Sequence, residues 1–210
     1  DGVNIQHHLQ DHFLGAMQAV AERVADLDHV IGFDTLNEPG TGYIGKALRD
    51  PLVSGPGLVW TPLDGLAVAS GLSCDVPELV IGQGIGGKRR VNEAGTSIWL
   101  PCYDDPFRAA GAWDVNSDGA PVALRPDYFQ QRDGHSIDHM RDYMRPFFHR
   151  VAETVRLVRP DWLLFAEIDP MDAGRGHRFP EGMPERTVNA SHWYDLSALL
   201  TKRFSADYMQ

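Results

Sequence analysis

Asn37 and Glu38 stand side by side at the end of an apolar run, "VIGFDTLNEP", and Pro39 follows at once. A carboxyl can give and take a proton, and a neighbouring amide can donate to a hydroxyl, so the pair suits acid–base work on a hydroxylated substrate. The proline stiffens the turn that would carry them. At the rim of an apolar strand the Glu38 carboxyl should be partly desolvated, which raises its pKa as a general acid requires. Taken alone, a glutamate here is ordinarily a solvated loop residue or a helix-cap partner. A second pattern, "SHWYD" from Ser191 to Asp195, sets His192 and Tyr194 two apart. On a strand both would share one face, with Trp193 on the other. They would line a sugar site or orient a carboxylate; a satisfied core histidine beside a half-buried tyrosine fits equally well. Glu167 closes the run "WLLFAE" and is a candidate second carboxylate, since glycosidic hydrolysis generally takes two. Its plain alternative is a structural carboxylate bonded to a neighbouring strand or loop.

Other chemistry-bearing patterns fail on inspection. "GQGIGGKR", Gly82 to Arg89, has phosphate-loop spacing, but Arg89 stands where Ser or Thr is needed and no apolar helix follows. It reads as a flexible loop. His135 and His139 in "HSIDH" lack the glutamate of a zinc-protease helix, and "DVNSDG", Asp114 to Gly119, lacks the closing glutamate of a calcium loop and reads as a turn. No metal and no cofactor is expected.

The elements that would position these residues follow from periodicity. From Asn4 to Leu27, Ile5, Leu9, Phe13, Met17, Val20, Val24 and Leu27 keep helical spacing, and "HVIGFDTLN" then reads as a short buried strand. A second helix-then-strand unit runs from about His135 to Glu167, its helix stopped by Arg159-Pro160 and its strand being "WLLFAE". "RTVNASHWY" reads as a third strand and "DLSALLTKRF" as the start of another helix. Helices alternating with strands apolar on both faces imply an α/β fold with a parallel sheet, either an open doubly wound sheet or a closed (β/α) barrel. Both gather function at the carboxyl ends of the strands. Between Lys46 and Asp133 the chain turns rich in Gly, Pro, Asp and Ser with no long helical period, and reads as a long loop insertion.

Composition narrows the partners. The 210 residues are 43% hydrophobic and carry a formal net charge of −10, which argues against nucleic acid or an anionic membrane as a main partner. No apolar stretch approaches the about 20 residues of a membrane span, and the start shows no signal-peptide pattern, so a cytoplasmic protein without stable membrane insertion is expected. Cys74 and Cys102 are expected as two reduced thiols.

With "GFDTLNEP" and "HWYD" both in view, the chain resembles glycoside hydrolase family 5, the cellulase-like clan of (β/α)8 TIM barrels. The Asn-Glu-Pro end of strand four and the His-x-Tyr end of strand six carry the likeness. It is most similar to the branch acting on glycolipids, the endoglycoceramidase-related and steryl-β-glucosidase-like enzymes. The supporting stretches are "NIQHHLQDHFLGAM", "GYIG" after "NEP", "WTPLDGLAVASG", "VNEAGTSIW" and "LRPDYF", which together span nearly the whole chain. The resemblance implies a retaining O-glycosyl hydrolase that cleaves a β-glycosidic, β-glucosyl-type bond of a glycolipid or another apolar-aglycone glycoside. It implies Glu38 as acid/base, Asn37 as donor to the 2-hydroxyl of the sugar, and His192 and Tyr194 lining that subsite, Tyr194 close to the nucleophile. An endo-β-glucanase or transglycosylase on the same scaffold, or a non-catalytic carbohydrate-binding relative, is the alternative.

The chain also departs from the family. The nucleophilic glutamate of strand seven belongs downstream of "HWYD", and Leu196 to Gln210 contain none. Glu167 is a poor substitute for it. The chain therefore reads as residues 1–210 of a partial barrel, roughly strands four to six, with the insertion 46–133 after strand four and the remaining barrel strands required. The tryptophans of that insertion and "PLVSGPGLVW" would form a groove for the aglycone.

Overall fold

Asn4 opens the first helix: its side-chain oxygen accepts from the backbone N–H of Gln6 at 2.9 Å and of His7 at 3.4 Å, a cap of about 1 kcal/mol. The computed structural model describes residues 2–52, 56–80, 82–169, 178–192 and 194–204. Among these, the helices in chain order are α1 (Ile5–Val24), α2 (Pro62–Ala69), α3 (Pro106–Ala109), α4 (Arg145–Arg156) and α5 (Leu196–Thr201). The strands are β1 (Gly32–Asp34), β2 (Gly57–Leu58), β3 (Cys74–Val80), β4 (Gly84–Val91), β5 (Trp113–Val115), β6 (Pro121–Ala123), β7 (Gln131–Arg132), β8 (His135–Ser136), β9 (Leu163–Ala166) and β10 (Thr187–Asn189). The chain forms two compact units, Asp1–Thr41 with Asp138–Gln210, and Gly42–Ile137.

The first unit is α/β with a parallel sheet in the order β1-β9-β10. Gly32, Phe33 and Asp34 face Leu163, Leu164 and Phe165, while Thr187, Val188 and Asn189 face Leu164, Phe165 and Ala166. The central strand β9 buries Leu164 and Ala166. The amphipathic face of α4, Phe147, Phe148, Val151, Ala152 and Val155, closes over the core that includes them. The helix expected from His135 begins later: β8 takes up His135 and Ser136, and a π-helical turn at Met140–Met144 leads into α4.

On α1 the buried stripe is narrower than the periodic one. Leu14 and Ala21 are buried and Met17 and Val24 pack against the core, whereas Ile5, Leu9 and Val20 are exposed, as is Leu27 just beyond the helix. Seven apolar residues at helical spacing therefore serve two faces, of which this unit covers one.

β1 and β9 meet closely. A Cβ on Gly32 would lie 2.2 Å from the Leu163 carbonyl oxygen. Gly32→Ala should force the strands apart and destabilise the unit by roughly 1–3 kcal/mol. Urea unfolding followed by circular dichroism measures this, and an unchanged midpoint would mean the strands are not held at this register.

The second unit corrects the loop reading of residues 46–133. It has its own core of Leu48, Leu63, Leu66, Ala67, Cys74, Val76, Ala112 and Trp113. Its elements are too short to produce a helical period. Thr61 and Asp64 form a reciprocal capping box on α2, with Pro62 in the first turn. β2, β3 and β4 form an antiparallel sheet, and two hairpins, β5-β6 and β7-β8, complete the unit. "GIGGKRRV" is strand β4 and not a flexible loop. Pairing with β3 makes it one, helped by Arg89 on Glu78 and by Arg90 on Asp75 at 3.0 Å. "DVNSDG" is a turn as expected: the Asn116 side chain accepts from Asp118 N–H at 3.1 Å and Ala120 N–H at 2.8 Å between β5 and β6. Trp113 is fully buried and donates to the buried Asp105 carboxylate at 2.7 Å, so it belongs to this core and to no aglycone groove. Cys74 is buried and Cys102 exposed, both as free thiols.

Candidate active site

The site lies in the first unit, where β1, β9 and β10 end. Thr35 continues the pairing of β1 one residue further, donating its N–H to the Phe165 carbonyl at 2.9 Å. The chain then leaves the sheet, and Glu38 takes φ 46°, the left-handed region that costs a non-glycine residue roughly 1–2 kcal/mol. Its N–H is held there by Glu167 Oε2 at 2.9 Å, and the buried Pro39 follows. Glu167 is the residue immediately after β9 and is only 2% exposed. Beyond β10, Ala190 N–H donates to the Ala166 carbonyl at 2.9 Å. Asn189 Oδ1 accepts from Ser191 N–H at 2.9 Å, and Ser191 Oγ accepts from Ile168 N–H at 3.0 Å. These bonds tie the exits of β9 and β10 together and carry the chain to His192.

His192 bridges two carboxylates. Its Nδ1 lies 2.7 Å from Glu38 Oε1, across 154 residues of sequence, and its Nε2 lies 3.3 Å from Glu167 Oε1. Tyr194 donates its hydroxyl to the same Glu38 oxygen, and the His192 and Tyr194 rings meet edge to face at 6.1 Å. The Tyr194 hydroxyl bond, then the His192 bond, hold the Glu38 carboxyl below the usual glutamate range. This reverses the sequence expectation of a raised pKa: desolvation does push upward, but the two donors outweigh it. His192 is raised, first by its bond to Glu38 and then by the charge of Glu167. Tyr194 is raised by its bond to Glu38. Asp34 is raised by burial and by Glu167.

The structure thus brings Glu38, Glu167, His192 and Tyr194 together and leaves Asn37 exposed at the rim. One correction applies. His192 and Tyr194 lie past β10 and not within a strand, so the turn bonds of Asn189 and Ser191, instead of strand alternation, carry the chain to them. Tyr194 donates to Glu38. Trp193 and part of "PLVSGPGLVW" lie outside the described residues. Asp34 was missed; its signal was an aspartate inside the apolar run "GFDTL". Among the described residues, no group of three or more His, Cys, Asp or Glu is arranged to hold a metal ion, and no helix is long and apolar enough to cross a membrane.

Two clustered carboxylates, a histidine between them and a tyrosine beside them at parallel strand ends can move a proton to and from a substrate oxygen. Comparison with known proteins points the same way. The chain is 28% identical over 215 residues to a glucosylceramidase of Rhizopus delemar, an alignment that covers 97% of this chain and 31% of that protein. It is 24% identical over 243 residues to the ergosteryl-beta-glucosidase of Saccharomyces cerevisiae, covering 98% of this chain and 31% of the relative. The crystal structure of Cryptococcus neoformans sterylglucosidase 1 superposes with a TM-score of 0.82 at 27% identity, covering 98% of this chain and 33% of that one. No family model matches. The likeness to the glycolipid-hydrolase branch that the motifs carried is therefore met nearly end to end, and the chain spans about a third of the length of the curated relatives it matches.

Proposed function

We propose that the complete protein containing this chain is a retaining β-glucosidase acting on a glucoside with an apolar aglycone, of the steryl glucoside or glucosylceramide type. The carrying observation is the meeting of Glu38 with His192 and Tyr194 at the ends of parallel strands. In this reading Glu38 protonates the departing oxygen and later activates water. Asn37 binds the sugar 2-hydroxyl, and His192 and Tyr194 line the sugar subsite. The nucleophile comes from a further strand, since Glu167 at 2% exposure offers no path to an anomeric carbon. The fold proposed for the complete protein is a (β/α)8 barrel, in which β1, β9 and β10 are strands four to six. The exposed apolar side of α1 (Ile5, Leu9 and Val20) suits cover by a neighbouring part of such a barrel.

The test is glucose release by the complete protein from steryl glucoside, glucosylceramide and a β-1,4-glucan. Release from one or both lipids, with little from the glucan, is expected. Turnover of the glucan alone would replace this reading by an endo-glucanase.

A further inference from the structure

We propose that Glu167 is a positioning residue: one carboxylate oxygen fixes the main chain of the acid/base glutamate and the other fixes the far nitrogen of the histidine beside it. The proposal rests on the reading of Glu38 as acid/base.

A carboxylate is buried only when its charge is matched, because an unmatched one is strongly disfavoured in a low-dielectric interior. At Glu167 both oxygens are matched, and both partners belong to the site. Oε2 receives the Glu38 N–H at 2.9 Å and Oε1 faces His192 Nε2 at 3.3 Å. The first contact holds a residue whose backbone is left-handed, at φ 46°. Without it the N–H would lose its acceptor, and Glu38 would relax toward an ordinary loop conformation and carry its carboxyl away. The second contact orients the imidazole ring. With Nε2 facing Glu167 across 3.3 Å, Nδ1 is turned to Glu38 at 2.7 Å.

That arrangement stores a proton. The titratable groups facing His192 are Glu38, Tyr194 and Glu167, with Asp34 at longer range. His192 as cation donates through Nδ1 to the Glu38 carboxylate. Breaking Nδ1–H and forming Oε1–H leaves neutral His192 beside protonated Glu38, with no change in total charge. From there the proton passes to the departing oxygen, and the proton of the incoming water later returns by the same route. The two groups thus titrate as a pair. The fixed negative charge of Glu167 makes the pair keep its proton to higher pH.

The experiment uses the complete protein and Glu167→Gln, which retains an acceptor for the Glu38 N–H but loses the charge. The basic limb of the pH profile of kcat/KM, on an alkyl glucoside with a poor leaving group, should move to lower pH, with KM little changed. Nitrogen NMR of His192 should show it losing its proton at lower pH than in the unaltered protein. Glu167→Asp keeps the charge but draws the anchor back by a methylene. It should restore the limb while kcat falls by roughly 10²-fold, the cost of a misplaced catalytic group. An unmoved limb and unmoved His192 titration in Glu167→Gln would overturn the proposal. So would loss of the glycosyl-enzyme burst with an activated aryl glucoside, which would make Glu167 the nucleophile. Should Glu167→Gln not fold, His192 in Glu38→Gln decides: a titration still displaced to higher pH with the Glu38 charge removed supports the proposal, and an ordinary histidine titration there refutes it. Full activity of Glu38→Gln would remove the parent reading and leave the NMR result on Glu167 standing by itself.

Discussion

Glu38→Gln in the complete protein should lower kcat/KM for steryl or alkyl glucosides by roughly 10²–10⁴-fold, while activated aryl glucosides lose far less in the bond-breaking step. The amide is nearly isosteric and still accepts from Tyr194, so the site should keep its shape. What it cannot do is surrender a proton. An alkoxide leaving group needs that proton in the transition state, and a nitrophenolate does not, so a plot of rate against leaving-group acidity should steepen in the variant. The resting electrostatics add a direction. Glu38 is held below the usual range by Tyr194 and His192, whereas His192 is raised. The proton shared by the pair therefore rests on His192 in preference to Glu38 and reaches Glu38 across their 2.7 Å contact. Activity on poor leaving groups should fall as pH rises through the raised histidine pKa, because the pair then holds no proton. Equal losses on alkyl and aryl substrates would count against Glu38 as proton donor.

Trp162→Ala should have the largest effect on stability, about 3–5 kcal/mol. Trp162 is 1% exposed, its indole donates to the Val30 carbonyl at 2.9 Å, and its ring lies 5.0 Å from that of Phe33. The substitution opens a cavity and strips a carbonyl of its donor just where the chain enters β1, the strand that delivers Glu38. Trp162→Phe should recover most of the packing and leave a loss of about 1–3 kcal/mol for the unmatched carbonyl. Denaturant midpoints of the two variants separate packing from hydrogen bonding. A midpoint for Trp162→Ala near that of the unaltered chain would mean that β1 is not seated on this indole.

The parts of this molecule legible in its sequence are those set by local rules. α1 and α4 show as helical periods, "WLLFAE" as a buried strand, and the Asn-Glu-Pro and His-x-Tyr patterns as strand-end chemistry. Residues 42–137 were not legible, because β2 and β5 to β8 are two or three residues long, β4 is exposed along nearly all its length and so shows no apolar alternation, and the identity of the core is settled by non-local pairing, as Trp113 with Asp105 illustrates. The lowered pKa of Glu38 was hidden for the same reason: it depends on two donors more than 150 residues away in sequence, whereas desolvation at a strand end is a local inference. Glu167 could be seen as a carboxylate at a strand end. That it faces inward, toward the Glu38 backbone, follows from the way β9 sits between β1 and β10.

The central claim is tested most directly by supplying azide to the Glu38→Ala variant of the complete protein, with an activated aryl β-glucoside as substrate. Azide attacks without needing a base, so it should take over the step that Glu38 assists, restore turnover, and yield β-glucosyl azide. An α-configured azide, or no rescue at any concentration, would contradict the assignment of Glu38 as the acid/base of a retaining reaction.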